Sequence, residues 1–281
     1  MITVVISRHA RNFVMCVPRR AMDTVTADGG SVSGRMTGLR ALVTGGGVGI
    51  GRAIADELTR EGATVMVVDL DPATRPDVVA DCADTTDVDR VFATVRERLG
   101  GLDVLVNNVG VKGPTGPVEE MDPDAYDECV RINLGSAFRC ARRAVPMLRA
   151  RPGSMLNISS TVGQMGYPYR SPYAASKWGV IGLTKTWAME LGPQRVRVNA
   201  ICPGSVDGPR MDRVIADESV ARGIAPEVLR ETYARQTSMR TFVQTTDIAK
   251  AAAWLSSDDA RFVSGQVLFV DGHTETSRST D

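Results

Sequence analysis

The stretch Ala41-Leu42-Val43-Thr44-Gly45-Gly46-Gly47-Val48-Gly49-Ile50-Gly51 decides the fold. It opens on a short apolar run of the kind that makes a buried strand, and a glycine cluster ends the run. From Ile50 to Glu61 the apolar positions take helical spacing, with Ile50, Ile54, Ala55 and Leu58 on one face and Gly62 closing the segment. Glycines let a backbone turn tightly and approach a phosphate. A helix starting there aims free N–H groups and the positive end of its dipole at that phosphate. Alone, a glycine cluster is equally a structural turn. Between a first strand and a first helix it points to a dinucleotide, with Gly45, Gly47, Val48, Gly49 and Ile50 as contacts.

Asp69 narrows the cofactor. It ends a second apolar run, 64–69, and lies 24 residues after Gly45, with Leu70 next to it. A carboxylate there can bind the adenosine ribose hydroxyls and would repel a 2′-phosphate. No Arg or Lys lies between Gly45 and Gly51 to attract one. NAD is favoured over NADP. The competing reading of Asp69 is a solvated strand end.

Further out, apolar runs at 78–80, 103–106, 154–158, 196–200 and 266–270 alternate with helical patterns at 88–99, 124–149, 173–191, 226–235 and 246–256. Alternating strands and helices imply parallel pairing through right-handed crossovers. The fold class is α/β, a single Rossmann-type doubly wound parallel sheet with helices on both faces. Residues 1–35 read as a disordered tail and 36–275 as the domain, with 276–281 a second tail. The stretch from Met1 to Ala21 holds five basic residues counting His9 and no acid, as in some targeting presequences, but a floppy tail is the favoured reading.

Composition removes several function classes. Of 281 residues 43% are hydrophobic, and 33 basic residues balance 33 acidic ones, so nothing favours nucleic acid or an anionic membrane as partner. No apolar run approaches the length of a membrane helix. The five cysteines are scattered without a C-x-x-C pair, which argues against a disulfide framework or zinc and suits a cytoplasmic protein. Two histidines, His9 and His273, leave no Ser-His-Asp triad or histidine-rich metal centre; no metal is expected.

Tyr173-Ala174-Ala175-Ser176-Lys177 carries the sharpest chemistry. Tyr and Lys four apart share one helical face. The ammonium favours phenolate and brings Tyr173 toward general acid–base use. Thr44 to Gly51, Asp81, Asn107-Asn108-Val109-Gly110, Asn133, Ser159-Ser160, Tyr173 with Lys177, and Pro203-Gly204 follow in order. In these motifs the chain resembles the short-chain dehydrogenase/reductase family, in its compact single-domain branch, from about residue 38 to 272.

The resemblance implies an NAD(P)-dependent oxidoreductase acting on CH–OH groups of a secondary alcohol or ketone. Tyr173 would protonate the carbonyl oxygen or deprotonate the hydroxyl, and Lys177 would lower its pKa and bind the nicotinamide ribose. Ser160, thirteen residues before Tyr173, would bind the substrate oxygen; Asn133, forty before it, would hold a water linking Lys177 to solvent. Asp81 would meet the adenine amino group beside Cys82. Asn108, Val109 and Gly110 would lie on the adenosine side, and Pro203, Gly204 and Val206 against the nicotinamide. Two positions depart from the family: Val109 replaces an alanine, and Asp207 replaces a threonine that reaches the carboxamide. Residues 205–240 would form a lid, with Met211, Ile215, Met239 and Phe242 as lining and Tyr167 and Tyr169 facing it from the 164–170 loop. Met211 and Tyr167 join Ser160 and Tyr173 as substrate contacts; Arg210 could meet a substrate carboxylate or phosphate, but a solvated surface group is the favoured reading. A homotetramer or homodimer is implied, paired through helices 124–149 and 173–191 and the last strand. Two other readings stand beside this one: a catalytically idle nicotinamide-binding sensor that binds a partner, and an epimerase or dehydratase using the cofactor transiently.

Overall fold

The computed structural model describes residues 34–275. Both expected tails lie outside the described residues except for Gly34 and Arg35. Arg35 already belongs to the domain, because its guanidinium pairs with Glu61 at 2.9 Å and the next residue, Met36, is buried. No helix among the described residues is long and apolar enough to cross a membrane.

Seven parallel strands form one sheet: β1 (Arg40–Thr44), β2 (Thr64–Asp69), β3 (Val78–Val79), β4 (Val104–Asn107), β5 (Ser154–Ile158), β6 (Arg197–Pro203) and β7 (Val267–Val270), in the order β3-β2-β1-β4-β5-β6-β7. Every run of apolar residues expected to be a strand is one. Alternate residues of each strand feed opposite faces. Leu42, Met66, Leu105, Met155 and Val198 enter one core with Phe92 and Trp187. Ala41, Val43, Val104, Val106, Leu156 and Ile201 enter the other with Ile54, Leu58 and Ile248. The first core is covered by α2 (Thr85–Leu99), α4 (Ser136–Ala150) and α5 (Ser171–Leu191), the second by α1 (Gly49–Arg60) and α8 (Thr245–Ser256). Two buried faces explain why the strands read as continuous apolar runs. Phe92 is among the largest fully buried side chains, so Phe92→Ala is expected to cost about 3–5 kcal/mol, read as a drop in thermal midpoint without loss of cofactor contacts.

Two expectations need correction. The helix expected over 124–149 is broken: α3 (Pro123–Val130) passes through a π turn, Arg131–Gly135, into α4. An added residue in the turn shifts the helical register without disturbing apolar spacing enough to be read. The region 205–240 contains a second helix, α6 (Pro209–Arg222), ahead of α7 (Pro226–Arg235). Its sparse apolar stripe, Met211, Val214 and Ile215, packs in a small cluster with Leu229, Tyr233, Tyr167 and Phe242, apart from the two sheet cores.

The strand order reverses direction between β1 and β4. In open parallel sheets the crevice at that switch point, beyond the carboxyl ends of the strands, is where ligands bind. The glycine turn, Asn108, Ser160 and Pro203 all sit at or just past those ends.

Candidate active site

The glycine turn is held from below. Asn108 Nδ2 donates to the carbonyls of Thr44 (3.1 Å) and Gly45 (2.8 Å), and its backbone N–H donates to Thr44 Oγ1 (3.1 Å). Asn108, expected on the adenosine side, braces the turn through its amide nitrogen. Gly51 permits this, since a Cβ there would lie 2.2 Å from the Gly45 oxygen and 2.4 Å from Asn108 Nδ2. Val109 packs beside the same turn, its Cγ2 3.3 Å from where a Cβ on Gly45 would stand.

The turn fits a dinucleotide. Val48 caps α1 without a side-chain hydrogen bond, and no acid occupies the first turn, so its N–H groups have no competing carboxylate. Asp69 stands beside it: Oδ2 accepts from the Gly47 N–H (2.8 Å) and Oδ1 from the Asp71 N–H (3.1 Å). Gly47 leaves room for this, as a Cβ there would be 2.8 Å from Asp69 Oδ2. Val48 and Leu70 flank the carboxylate and are exposed, two apolar groups at one mouth.

Asp81 follows β3; its Oδ1 accepts from the Ala83 N–H (2.8 Å) and its own N–H donates to Asp87 (2.8 Å). Cys82 was expected beside the adenine, but its thiol is buried in the core against Cys140. Only its backbone can face a cofactor.

The four expected catalytic residues converge from three elements. Lys177, on α5 and 3% exposed, lies with Nζ 5.8 Å from the centre of the Tyr173 ring and donates to the Ile158 carbonyl (2.9 Å). One hydrogen bond on a buried ammonium leaves two N–H groups for other acceptors. Ser159 and Ser160 differ in kind: Ser159 Oγ donates to the Lys177 carbonyl (2.9 Å), whereas Ser160 Oγ accepts from the Val162 N–H (3.3 Å) and helps lower the pKa of Tyr173. Burial opposes ionisation of Tyr173. The Lys177 ammonium, then Arg210 and Arg170, then Ser160 outweigh it, and the phenol lies below its ordinary pKa. Burial, joined by Arg210, holds the Lys177 ammonium below its ordinary value against the pull of the Tyr173 phenolate.

Asn133 sits in the π turn and is 1% exposed. Its Oδ1 accepts from the Val111 N–H (2.7 Å), and Nδ2 donates to the Val111 carbonyl (3.1 Å) and Ser176 Oγ (3.0 Å). The side chain is therefore fully engaged in joining the β4 loop to α5.

On the lid side, Met211, Ile215, Leu229 and Tyr233 form a small core, with Tyr167 and Phe242 packed on it. Tyr167, a candidate pocket-lining residue, stacks on Tyr233 at 6.3 Å and packs against the small lid core. Met239 is 69% exposed and lies beside Gly272, away from that core. Asp207 accepts an ion pair from Arg230 of α7, so the departure at this position ties the loop after β6 to the lid. At the end of β6, Gly204 abuts Asp271, 2.7 Å from a would-be Cβ, while Val206 bridges to Val243. Arg210, expected to be a surface group, reaches back so that Nη1 donates to the Gly110 carbonyl (3.1 Å), and Gly110 adjoins Lys177. Arg170 was not singled out in the sequence. It lies three residues before Tyr173, its guanidinium 4.9 Å from that ring centre.

Known proteins share this fold and sequence. Residues 46–273 match the family model described as Enoyl-(Acyl carrier protein) reductase. The chain is 38% identical over 248 residues to the 3-oxoacyl-[acyl-carrier-protein] reductase FabG of Staphylococcus aureus, covering 83% of this chain and 96% of that one. It is 33% identical over 250 residues to the D-beta-hydroxybutyrate dehydrogenase of Rhizobium meliloti, covering 83% and 96%. Among solved structures, an NAD+-bound xylitol dehydrogenase superposes with a TM-score of 0.80 at 27% identity, over 84% of this chain and 99% of that one. The chain belongs to the short-chain dehydrogenase/reductase family and is an oxidoreductase that moves a hydride between a nicotinamide cofactor and an alcohol or ketone.

Proposed function

We propose that this oxidoreductase works with NAD on a secondary alcohol or ketone, with Tyr173 as its general acid and base. The observation that carries the reading is the buried Lys177 ammonium 5.8 Å from the Tyr173 ring, in a site where cations outweigh burial and lower the phenol's pKa. The nicotinamide supplies or accepts the hydride; the residues supply orientation and the proton. In the oxidative direction the Tyr173 phenolate takes the hydroxyl proton while Ser160 Oγ donates to the substrate oxygen and holds it in line. In the reductive direction the phenol returns the proton to the carbonyl oxygen. Lys177 holds the phenolate and offers its remaining N–H groups to the ribose hydroxyls. Asn133 has no side-chain donor to spare, so its main chain in the π turn is the group that would hold a relay water; helical carbonyls are freed at such bulges.

Asp69, with both oxygens steadied by backbone N–H groups, would take the ribose hydroxyls and disfavour a 2′-phosphate. Val48 and Leu70 would flank the adenosine, with Asp81 and the Cys82 backbone at the adenine and Gly45, Gly47, Gly49 and Ile50 along the pyrophosphate. Pro203, Gly204 and Val206 would lie against the nicotinamide, and Met211 would close on the substrate. Exposed Phe138 on α4 and Trp178 and Met189 on α5 support pairing through these helices into a cytoplasmic homodimer or homotetramer, which light scattering tests.

A pH series tests the proton step. A base must be deprotonated to act, so kcat/KM for alcohol oxidation is expected to rise with pH and level off above an apparent pKa below the ordinary tyrosine value of about 10. Lys177→Met removes the cation that acts most strongly on the phenol, so the break should move upward in pH. A break left in place by that substitution would count against Tyr173 as the group observed.

A further inference from the structure

Arg170 is buried at 7% exposure, yet only part of its guanidinium is engaged. Nη2 donates to the Lys112 carbonyl (3.0 Å), while Nε is buried with no hydrogen-bond partner. A buried donor left unmade is costly, so such an atom calls for an acceptor. The guanidinium stands over the Tyr173 ring, 4.9 Å from its centre. A second cation, Arg210, crosses from α6 to the Gly110 carbonyl beside Lys177. Lys112, the nearby lysine, already has its own partner in Asp217. The charges acting most strongly on Tyr173 are Lys177, Arg210 and Arg170, all positive. On neighbouring Cys129 the same three cations act. Neither Arg170 nor Arg210 has a carboxylate partner among the described hydrogen bonds and ion pairs; both use backbone carbonyls. One buried guanidinium over the Tyr173 ring with an unpaired N–H, and a second, exposed one reaching the Gly110 carbonyl beside Lys177, form a cationic site that a neutral alcohol does not complete.

We propose that the substrate carries a small oxyanion, a carboxylate or sulfonate, bound by the guanidinium of Arg170 with Arg210 closing on it from the lid. The substrate class is then a short hydroxy acid and its oxo acid, because the anion site lies on the same tyrosine that handles the hydroxyl. The flat fork of a guanidinium matches a carboxylate through two parallel N–H donors, and Nε is one edge of that fork. Arg210 belongs to α6, so an anion held there would also bind the lid to the floor of the site and favour closure.

This inference rests on Tyr173 being the proton donor and acceptor, and the test separates the two. Native enzyme with NAD is offered short hydroxycarboxylates and their methyl esters as matched pairs. The acid is expected to exceed its ester in kcat/KM by about 30-fold or more, the scale of a desolvated charge pair. In Arg170→Met the acid should fall at least about 30-fold further than the ester does, and Arg170→Lys, which keeps charge without the fork, should restore only part of it. Butyrate, propanesulfonate and neutral butyramide are then titrated by calorimetry into Tyr173→Phe holding NADH. Binding of butyrate or propanesulfonate but not butyramide, lost on adding Arg170→Met, supports the anion site and tells carboxylate from sulfonate. Equal use of acids and esters, or equal losses for both in Arg170→Met, overturns the anion site and leaves the Tyr173 reading intact. Arg170-dependent anion binding in a protein that oxidises no alcohol keeps the anion site and overturns the Tyr173 reading.

Discussion

Replacing Tyr173 with Phe is expected to lower turnover by about 10³-fold or more while NADH still binds, the upper range for loss of a positioned acid–base group. The substitution removes one oxygen and leaves the ring, so the Arg170 and Lys177 contacts to its face persist. What disappears is the phenol whose proton affinity the surrounding cations lower. NADH fluorescence titration should give a dissociation constant close to the native one, because the glycine turn, Asp69 and the Lys177 ammonium remain. Turnover retained within about tenfold would sink Tyr173 as the proton carrier, since removing a positioned acid–base group costs more than that.

The second large effect concerns the cofactor. The native protein is expected to prefer NAD over NADP in kcat/KM, and Asp69→Ser to swing the ratio toward NADP by about 10²-fold or more. A carboxylate and a phosphate near 4 Å repel by roughly 4 kcal/mol at an effective dielectric of 20, equivalent to about 10³-fold, and exposure of this strand end reduces that. Two backbone N–H groups fix the Asp69 carboxylate, so it cannot swing away from a 2′-phosphate without losing both hydrogen bonds. Initial rates with both cofactors for the native protein and the variant decide it. A native preference for NADPH would refute the assignment.

Much of the fold was legible because the strands are buried on both faces. Ala41, Val43 and Leu42 feed two different cores from one short run, so the run is apolar throughout and stands out in the sequence. The candidate catalytic pair was legible for a local reason: Tyr173 and Lys177 are one helical turn apart. Elsewhere the deciding contacts are long-range. The π turn at Asn133 adds one residue within a helix whose apolar stripe continues past it. Arg230 meets Asp207 from 23 residues away, and no pattern in either segment announces the pair. Helix α6 buries only Met211, Ile215 and Glu218, too few for a periodic signal. Arg170 passed unremarked and Arg210 read as a surface charge because their partners, the Lys112 and Gly110 carbonyls, are backbone atoms that any sequence supplies.

Hydride transfer is the centre of this account, and isotope labelling tests it most directly. Secondary alcohols and hydroxy acids carrying deuterium at the carbinol carbon are incubated with the native protein and NAD, and the recovered NADH is examined by mass spectrometry. One deuterium per NADH formed is expected, with ketone produced in equal amount and both products lowered by about 10³-fold or more in Tyr173→Phe. Conversion of substrate without net NADH, as an epimerase would give, or NADH free of deuterium, would contradict it.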